Sequence, residues 1–391
     1  MGSNMAIPHG ESLIIFRFPP SSLFTLPPSQ SLKPTTRLPP LPPSNVLGAS
    51  IIQSIRIDPL LFQLSLDLRF VITFTALYVS TVLYLNRVNA YRQFRPWKFS
   101  RTPWFKHVVV AHNAMLAIFS GWTFVSLFHI FLPLLGRARA EAGPDYASHL
   151  AELLCETDSG AYRVLSFGSS LWEAGGSYVG WWFYMSKFYE IVDTLIILAR
   201  GKKSSTLQTY HHAGVIICGW ATIIYESPLG AIGVFLNSAI HTLMYMYFTI
   251  QTLGIPIPVS FKRNLTKLQL AQFFVGWIWG YTYLFMSYRI PSRPNAGKTE
   301  RDFIHSDNLT RVLGKDSPAS LQKKADVLHE SVDAVSCLSD SGEAFTIVVT
   351  SVYIIPLIYL FIKFYFQSYR GNGKGIRSGG QVVKEPNGLI H

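Results

Sequence analysis

A glutamine and two adjacent histidines lie in an apolar segment about as long as a bilayer is thick. Gln208, His211 and His212 stand at i, i+3 and i+4, so a helix would place their side chains on one stripe. Neutral imidazole can act as a nucleophile or general base, and it can also bind a metal ion. Polar groups at membrane depth are costly and by default mark a functional site. This stripe is therefore the first candidate site.

Polar side chains recur at helical spacing in four other apolar segments. In chain order they are His112, Asn113 and Ser120; Lys187, Glu190, Asp193 and Thr194; Asn237, His241, Met244, Tyr245 and Phe248; and Thr266, Gln269 and Gln272. Each group would form one stripe on a helix. Lys187 and Glu190 could instead form an ion pair that only orients helices, and the aromatic members could be ordinary packing.

The composition indicates a chain with several membrane spans. Of its 391 residues, 49% are hydrophobic and 14% are charged, a balance that suits a polytopic membrane protein better than a soluble one. Seven apolar stretches approach the ~20 residues that cross a bilayer. They cover residues 70–85, 108–135, 178–199, 206–225, 229–253, 268–288 and 345–366. We therefore expect an all-α fold with seven transmembrane helices, called spans one to seven below.

Basic residues lie on alternate connections between the spans, which sets the expected orientation. The connection after span one is basic and carries no acid, Lys202 and Lys203 follow span three, and Lys262 and Arg263 follow span five. The positive-inside rule places these connections in the cytosol and the N-terminus on the lumenal or exterior side. The net charge of +12 largely reflects this asymmetry. It indicates attraction to anionic lipid or a polyanionic substrate, and nucleic-acid binding is not needed to explain it.

Composition divides the chain into three parts. Residues 1–62 are rich in Pro and Ser and lack helical periodicity, so we expect a disordered N-terminal arm. Residues 63–370 form the expected membrane domain, with a polar lumenal insertion at 291–342. Residues 371–391 are expected to form a basic cytosolic tail.

Two modifications are expected on the lumenal side. Cys155 and Cys337 both fall in loops assigned to that side, where an oxidising compartment would let them form a disulfide. Two unrelated free thiols are the alternative. Asn308 begins an Asn-Leu-Thr sequon in the insertion and could be glycosylated. The second sequon, at Asn264, falls on the cytosolic side and would not be modified.

Two chemistries suit the polar stripes, all of which lie toward the cytosolic ends of their spans. A histidine can accept an acyl group or act as general base, and it can coordinate a metal. A di-iron site of the desaturase type needs more histidines than the spans offer, and Gln208 occupies the position of the first histidine in an HxxHH box. The available histidines are His107, His112, His129, His211, His212 and His241. Iron is therefore the weaker account.

Taken in order, the motifs resemble those of the ELO-type fatty-acid elongases over roughly residues 65–370. The motifs are Lys187-x-x-Glu190-x-x-Asp193-Thr194, Gln208-x-x-His211-His212, Asn237-Ser238-x-x-His241-x-x-Met244-Tyr245-x-Tyr247 and Thr266-x-x-Gln269-x-x-Gln272, preceded by His112-Asn113 and Ser120. Gln208 replaces the family's common histidine, a variant also seen in some elongases of polyunsaturated or fungal type. The resemblance implies a 3-ketoacyl-CoA synthase of the endoplasmic reticulum membrane that condenses acyl-CoA with malonyl-CoA. It implies no metal and no bound redox cofactor.

The resemblance also assigns roles to residues. His211 would be the acyl-accepting nucleophile, with His241 and Asn237 across the cavity and Gln208 and His212 beside it. The expected substrate-binding residues are Lys187, Glu190, Asp193, His112, Asn113, Tyr245, Gln269 and Gln272, with Lys202, Lys203, Lys262 and Arg263 at the cytosolic mouth, where CoA phosphates would arrive. Expected partners are acyl-CoA, malonyl-CoA and membrane lipids, and a homodimer and other enzymes of the elongation cycle are further expectations.

Two other functions remain open from the sequence. A seven-helix receptor or transporter would use the polar stripes to bind a ligand without chemistry. A di-iron desaturase or hydroxylase would hold iron among the histidines.

Overall fold

The computed structural model describes residues 14–29, 38–39, 41, 55–142, 150, 154–155, 172–288, 335–338 and 340–369. Nine helices make up most of this part of the chain: α1 Pro59–Leu66, α2 Leu68–Tyr91, α3 Pro103–Ala142, α4 Ser177–Tyr189, α5 Ile191–Ala199, α6 Thr206–Ile224, α7 Pro228–Leu253, α8 Val259–Phe285 and α9 Ser341–Tyr369. Three short strands accompany them, β1 Ile14–Phe16, β2 Met286–Tyr288 and β3 Val335–Ser336.

Helices occupy all seven apolar stretches, so the expected all-α, multi-pass membrane architecture is confirmed. Four segments are long and apolar enough to cross a membrane: α2, Pro103–Gly136 of α3, α7 and α9. The third predicted span is divided between α4 and α5, and α6 and α8 carry polar stripes. Seven crossings therefore stay a prediction. The first span is longer than expected, because α2 continues to Tyr91.

Local signals start the two helices that carry His211, His212 and His241. Ser205 caps α6, its hydroxyl oxygen accepting from the backbone N–H of Gln208 at 3.1 Å, and such a cap satisfies one of the free N–H groups at a helix start. Because α6 begins here, Gln208 lies in its first turn and His211 in its second. Pro228 occupies the first turn of α7, where its missing N–H costs nothing.

Buried aromatic side chains tie the short helix α1 to α4 and α6. Trp181 Nε1 donates to Ser65 Oγ at 3.0 Å, and Tyr184 donates to the Ser65 carbonyl at 2.8 Å. Trp220 Nε1 donates to the Leu66 carbonyl at 2.8 Å. Buried indole and phenol rings combine a large apolar area with a polar group that needs a partner. These contacts hold α4 and α6, which carry two of the polar stripes, in a fixed relation.

The end of the bundle that is predicted to be lumenal is closed by a small sheet and a disulfide. Strand β2 pairs antiparallel with β1 on one side and β3 on the other, with Tyr288 opposite both Ile14 and Val335. Cys155 and Cys337 are joined by a disulfide directly after β3. Four segments distant in the sequence therefore meet at this end.

The disordered arm expected over residues 1–62 needs correction in its described parts. Arg17 N donates to the Phe285 carbonyl at 2.8 Å, Leu23 is buried, and Ser29 N donates to Ser341 Oγ at 2.7 Å. A Pro- and Ser-rich composition predicts the absence of long helices, but it carries no local sign of a strand that pairs with β2. The arm's other described residues are 38–39, 41 and 55–62, of which 59–62 begin α1. The rest of the arm, residues 291–334 and the tail 371–391 lie outside the described residues.

Candidate active site

Four of the five polar stripes meet in one narrow internal cavity. Its polar lining consists of Glu190, Asp193, Gln208, His211, His212, Asn237, His241, Tyr245, Gln269 and Gln272. Its less polar lining consists of Ile240, Met244, Phe248, Phe273 and Phe361. These side chains come from the α4–α5 junction, α5, α6, α7, α8 and α9. The structure thus brings most of the sequence-predicted site residues together.

Gln208 and His212 form a hydrogen-bonded pair on α6. Gln208 Nε2 lies 2.9 Å from His212 Nε2 and 3.4 Å from Thr194 Oγ1. An amide nitrogen can only donate, so His212 Nε2 accepts, and the proton of the neutral ring lies on Nδ1. Thr194 Oγ1 is also 3.0 Å from the Tyr78 hydroxyl. The glutamine therefore orients one imidazole and connects α6 to α2 through Thr194.

His211 has a different partner, Tyr353 on α9. The Tyr353 hydroxyl lies 2.8 Å from His211 Nδ1 and 3.3 Å from the His211 backbone carbonyl oxygen. His211 is half-buried and lines the cavity, and its Nε2 has no hydrogen-bond partner among the described residues. The sequence analysis did not identify Tyr353, because it lies in an apolar span that forms no polar stripe. Only its contact with His211 reveals it.

Asp193 is the centre of a buried network at the wall of the cavity. Its Oδ1 is 2.7 Å from His112 Nε2, and its Oδ2 accepts from the Tyr245 hydroxyl at 2.7 Å. His112 Nδ1 is in turn 3.0 Å from the Tyr189 hydroxyl. A buried carboxylate needs such donors, since an unpaired charge in a low dielectric is very costly. His112 and Tyr245 thus position Asp193, and neither offers a free base.

Lys187 and Glu190 form a second buried network at the α4–α5 junction. Lys187 Nζ lies 2.6 Å from Glu190 Oε1 and 3.9 Å from the centroid of the Phe183 ring. Ser186 Oγ donates to the same Glu190 oxygen at 3.0 Å. The second oxygen of Glu190 is 3.9 Å from His241 Nδ1 across the cavity. Glu190 therefore reaches the cavity, whereas Lys187 is not among its lining residues.

The remaining predicted site residues are more scattered. Asn237, Gln269 and Gln272 line the cavity, and Gln269 Nε2 lies 3.2 Å from Met244 Sδ. Asn113 is fully buried, and its amide has no hydrogen-bond partner among the described residues. The four basic residues expected at the mouth do not line the cavity; they are Lys202, Lys203 and Arg263, all exposed, and the half-buried Lys262. Asn308 lies outside the described residues.

The histidines do not assemble into a ligand set for a metal in the part of the chain that the structure describes. His107 is exposed, and His129 Nδ1 lies 2.8 Å from the Val125 carbonyl of its own helix. Across the described ranges, no group of three or more His, Cys, Asp or Glu side chains could hold a metal ion. Three histidines instead make hydrogen bonds: His212 to an amide, His211 to a phenol, and His112 to a carboxylate and a phenol. The fourth, His241, has its Nδ1 3.9 Å from a carboxylate oxygen of Glu190.

The sequence of the chain matches a known protein family. The family described as ELO: GNS1/SUR4 matches residues 63–376. A Dictyostelium discoideum protein whose name contains the words fatty acid elongase is 36% identical over 168 residues, 43% of this chain and 49% of the relative. Fatty acid elongase sre1 of the same organism is 36% identical over 123 residues, 30% of this chain and 44% of the relative.

A human relative is also named a fatty acid elongase. Very long chain fatty acid elongase 4 of Homo sapiens is 30% identical over 165 residues, covering 34% of this chain and 52% of the relative. The chain thus spans about half the length of each of these curated relatives. The family match, by contrast, covers nearly all of the described helices.

Proposed function

Because the chain belongs to the ELO family, we propose that it is a fatty-acid elongase that condenses a long-chain acyl-CoA with malonyl-CoA to give 3-oxoacyl-CoA, CO₂ and CoA. The observation that carries the proposal is the environment of His211, which lines the cavity. Its Nδ1 is hydrogen-bonded to Tyr353, so Nε2 is the ring nitrogen available to a substrate in the cavity. Relatives named fatty acid elongases support the same reaction class.

In the first step, His211 accepts the acyl group. The Nε2 lone pair attacks the thioester carbonyl carbon, the C–S bond breaks, and its electron pair leaves with the CoA sulfur. The Nδ1 proton then passes to the thiolate, so that neutral acyl-imidazole and CoA thiol result. Covalent catalysis of this kind divides one difficult step into two easier ones. His212 and Gln208 lie beside the reacting ring.

In the second step, malonyl-CoA supplies the carbon nucleophile. Its carboxylate leaves as CO₂, and the electron pair of the broken C–C bond forms the thioester enolate. The enolate carbon attacks the acyl-imidazole, the C–N bond breaks, and His211 takes up a proton. Fixed hydrogen-bond donors stabilise such developing negative charge. The amides of Asn237 and Gln269 line the cavity and suit this role.

The surroundings of the cavity suit both substrates. Lys202 and Lys203 lie between α5 and α6, and Lys262 and Arg263 lie near the start of α8. All four are at the predicted cytosolic face, where they would attract the phosphates of CoA. The aromatic rings of Phe273 and Phe361 line the cavity and offer an apolar surface to an acyl chain. None of these steps requires a metal or a redox cofactor.

Residence in the endoplasmic reticulum membrane is part of the proposal, with the CoA entrance on the cytosolic side. We also propose association with the other enzymes of the elongation cycle, since a 3-oxoacyl-CoA is the substrate of a following reduction. A homodimer is a further proposal, which cross-linking of the protein in native membranes would test.

One assay separates the elongase from the two rival functions. Membranes that contain the protein, given acyl-CoA and malonyl-CoA labelled in the retained carbons, should form labelled 3-oxoacyl-CoA and release CO₂, and the His211→Ala variant should not. A receptor or transporter would consume no thioester. A di-iron enzyme would copurify with iron and need oxygen. A panel of acyl-CoAs would then define the preferred chain length and unsaturation. Wild-type membranes that leave both thioesters intact would overturn the proposal.

A further inference from the structure

The Tyr353 hydroxyl contacts two atoms of the same residue, which constrains where its proton lies. Its oxygen is 2.8 Å from His211 Nδ1 and 3.3 Å from the His211 carbonyl oxygen. The carbonyl can only accept, and a phenol has one proton. If Tyr353 donates its proton to Nδ1, its contact with the His211 carbonyl oxygen is not a hydrogen bond. If it donates to the carbonyl, it can accept from a protonated Nδ1, and both contacts become hydrogen bonds.

The second arrangement leaves the His211 Nε2 lone pair available. With the proton on Nδ1, Nε2 is unprotonated and needs no acceptor. The opposite tautomer would carry an Nε2–H for which the described residues offer no acceptor, and an unmatched donor in a buried site is unfavourable. The tautomer favoured by the hydrogen bonds is therefore the one that a nucleophile requires, because only the unprotonated nitrogen can attack.

Tyr353 is itself held in place by packing on α6. Its ring stacks on that of Tyr210, with centroids 5.7 Å apart and an interplanar angle of 22°, and the Tyr210 hydroxyl donates to the Tyr353 carbonyl at 3.1 Å. At Gly214, one turn further along α6, a Cβ atom would collide with the Tyr353 ring. The lack of a side chain at Gly214 thus makes room for Tyr353 beside His211.

We propose that Tyr353 is a positioning residue that holds His211 in the Nδ1–H tautomer and so directs the Nε2 lone pair into the cavity. The inference rests on the proposed function, in which His211 Nε2 forms the bond to the acyl carbon. It adds a residue from the last helix to a site whose other polar members come from α3 to α8. It also assigns a role to the glycine at 214.

The test compares Tyr353→Phe with Tyr359→Phe, a matched change at an exposed tyrosine of the same helix. Phe keeps the stacking on Tyr210 and the space beside Gly214, so the Tyr353→Phe protein should fold. We expect its kcat to fall about tenfold, the order expected for loss of one hydrogen bond, while KM for acyl-CoA changes little. Tyr359→Phe should behave like wild type.

A second readout does not depend on turnover. Ring ¹³C and ¹⁵N labels on histidine distinguish the two neutral tautomers, and the His211 signals are identified by their loss in His211→Ala. Wild type should show His211 with the proton on Nδ1, and Tyr353→Phe should show a mixture. An Nε2–H tautomer in wild type, or an unchanged tautomer or an unchanged kcat in Tyr353→Phe, would each overturn the inference. Wild-type protein with the Nδ1–H tautomer but no condensation would contradict the proposed function and leave the tautomer assignment standing.

Discussion

Lys187 Nζ and Glu190 Oε1 lie 2.6 Å apart, one helical turn from each other, and both side chains are at most 2% exposed. The pair sits where α4 ends and α5 begins, with only the second oxygen of Glu190 directed toward His241. A buried ion pair contributes little net stability, but removal of one partner leaves the other charge without compensation. The arrangement therefore assigns Lys187 to orienting Glu190.

Lys187→Ala should destabilise the protein by ~3–5 kcal/mol, because it leaves the buried Glu190 carboxylate without its positively charged partner. The double change Lys187→Met with Glu190→Gln should recover much of that loss, since no uncompensated charge remains. Thermal unfolding in detergent measures both, with Lys267→Ala, an exposed lysine of α8, as the control. A Lys187→Ala protein as stable as the control but with a raised KM for acyl-CoA would instead assign Lys187 to substrate binding.

His211→Ala should abolish condensation while the protein remains inserted and folded, because a half-buried imidazole at a cavity wall costs no more than a typical substitution, ~0.5–3 kcal/mol. Intact mass after incubation with acyl-CoA alone should show an acyl adduct on the native chain and none on the variant. The control is His129→Ala, at a histidine whose hydrogen bond among the described residues lies within its own helix, and it should leave turnover unchanged. Turnover retained by the His211→Ala protein would show that His211 is not the nucleophile.

Gln208→Ala should slow the reaction without stopping it, by about tenfold, because it deletes the hydrogen bond that orients His212. Gln208→His should stay partly active, since an imidazole can also reach His212. Rates of 3-oxoacyl-CoA formation measure both, and Gln251→Ala, at an exposed position on α7, is the control. An inactive Gln208→His protein together with a fully active Gln208→Ala protein would contradict the role of Gln208 in orienting His212.

The Cys155–Cys337 disulfide closes 182 residues of sequence, so its loss should destabilise the protein by ~2–5 kcal/mol in the chain-entropy view. Cys155→Ser, Cys337→Ser and the double variant should lower the unfolding temperature by equal amounts, because each removes the same bond. Non-reducing peptide mapping should recover the linked pair from wild type. Free labelling of both thiols in native membranes would show that the bond does not form there.

Glycosylation tests the orientation itself. Asn308 is predicted to face the lumen and Asn264 the cytosol, so Asn308→Gln should abolish the glycan and Asn264→Gln should leave it unchanged. The mobility of the protein before and after glycosidase treatment measures this. A glycan on Asn264 would reverse the topology and, with it, the cytosolic entrance proposed for CoA.

Much of the site could be predicted from local pattern. The spacing of Gln208, His211 and His212 placed them on one helical stripe because helical periodicity depends only on neighbouring residues, and Ser205 starts that helix as an N-cap. The same reasoning placed Asp193 and His241 on stripes, and the structure brings these side chains to one cavity or its wall.

Features that depend on contact between distant segments were decided by the tertiary structure. Tyr353 meets His211 across 142 positions, and no local signal marks it in an apolar helix. Lys187 contacts Glu190 and Phe183 and is not part of the cavity lining, and these contacts depend on what packs around α4. The pairing of Ile14–Phe16 with β2 depends on a partner more than half the chain away. Periodicity determines which face of a helix is polar, but packing against other helices determines which atom each polar group meets.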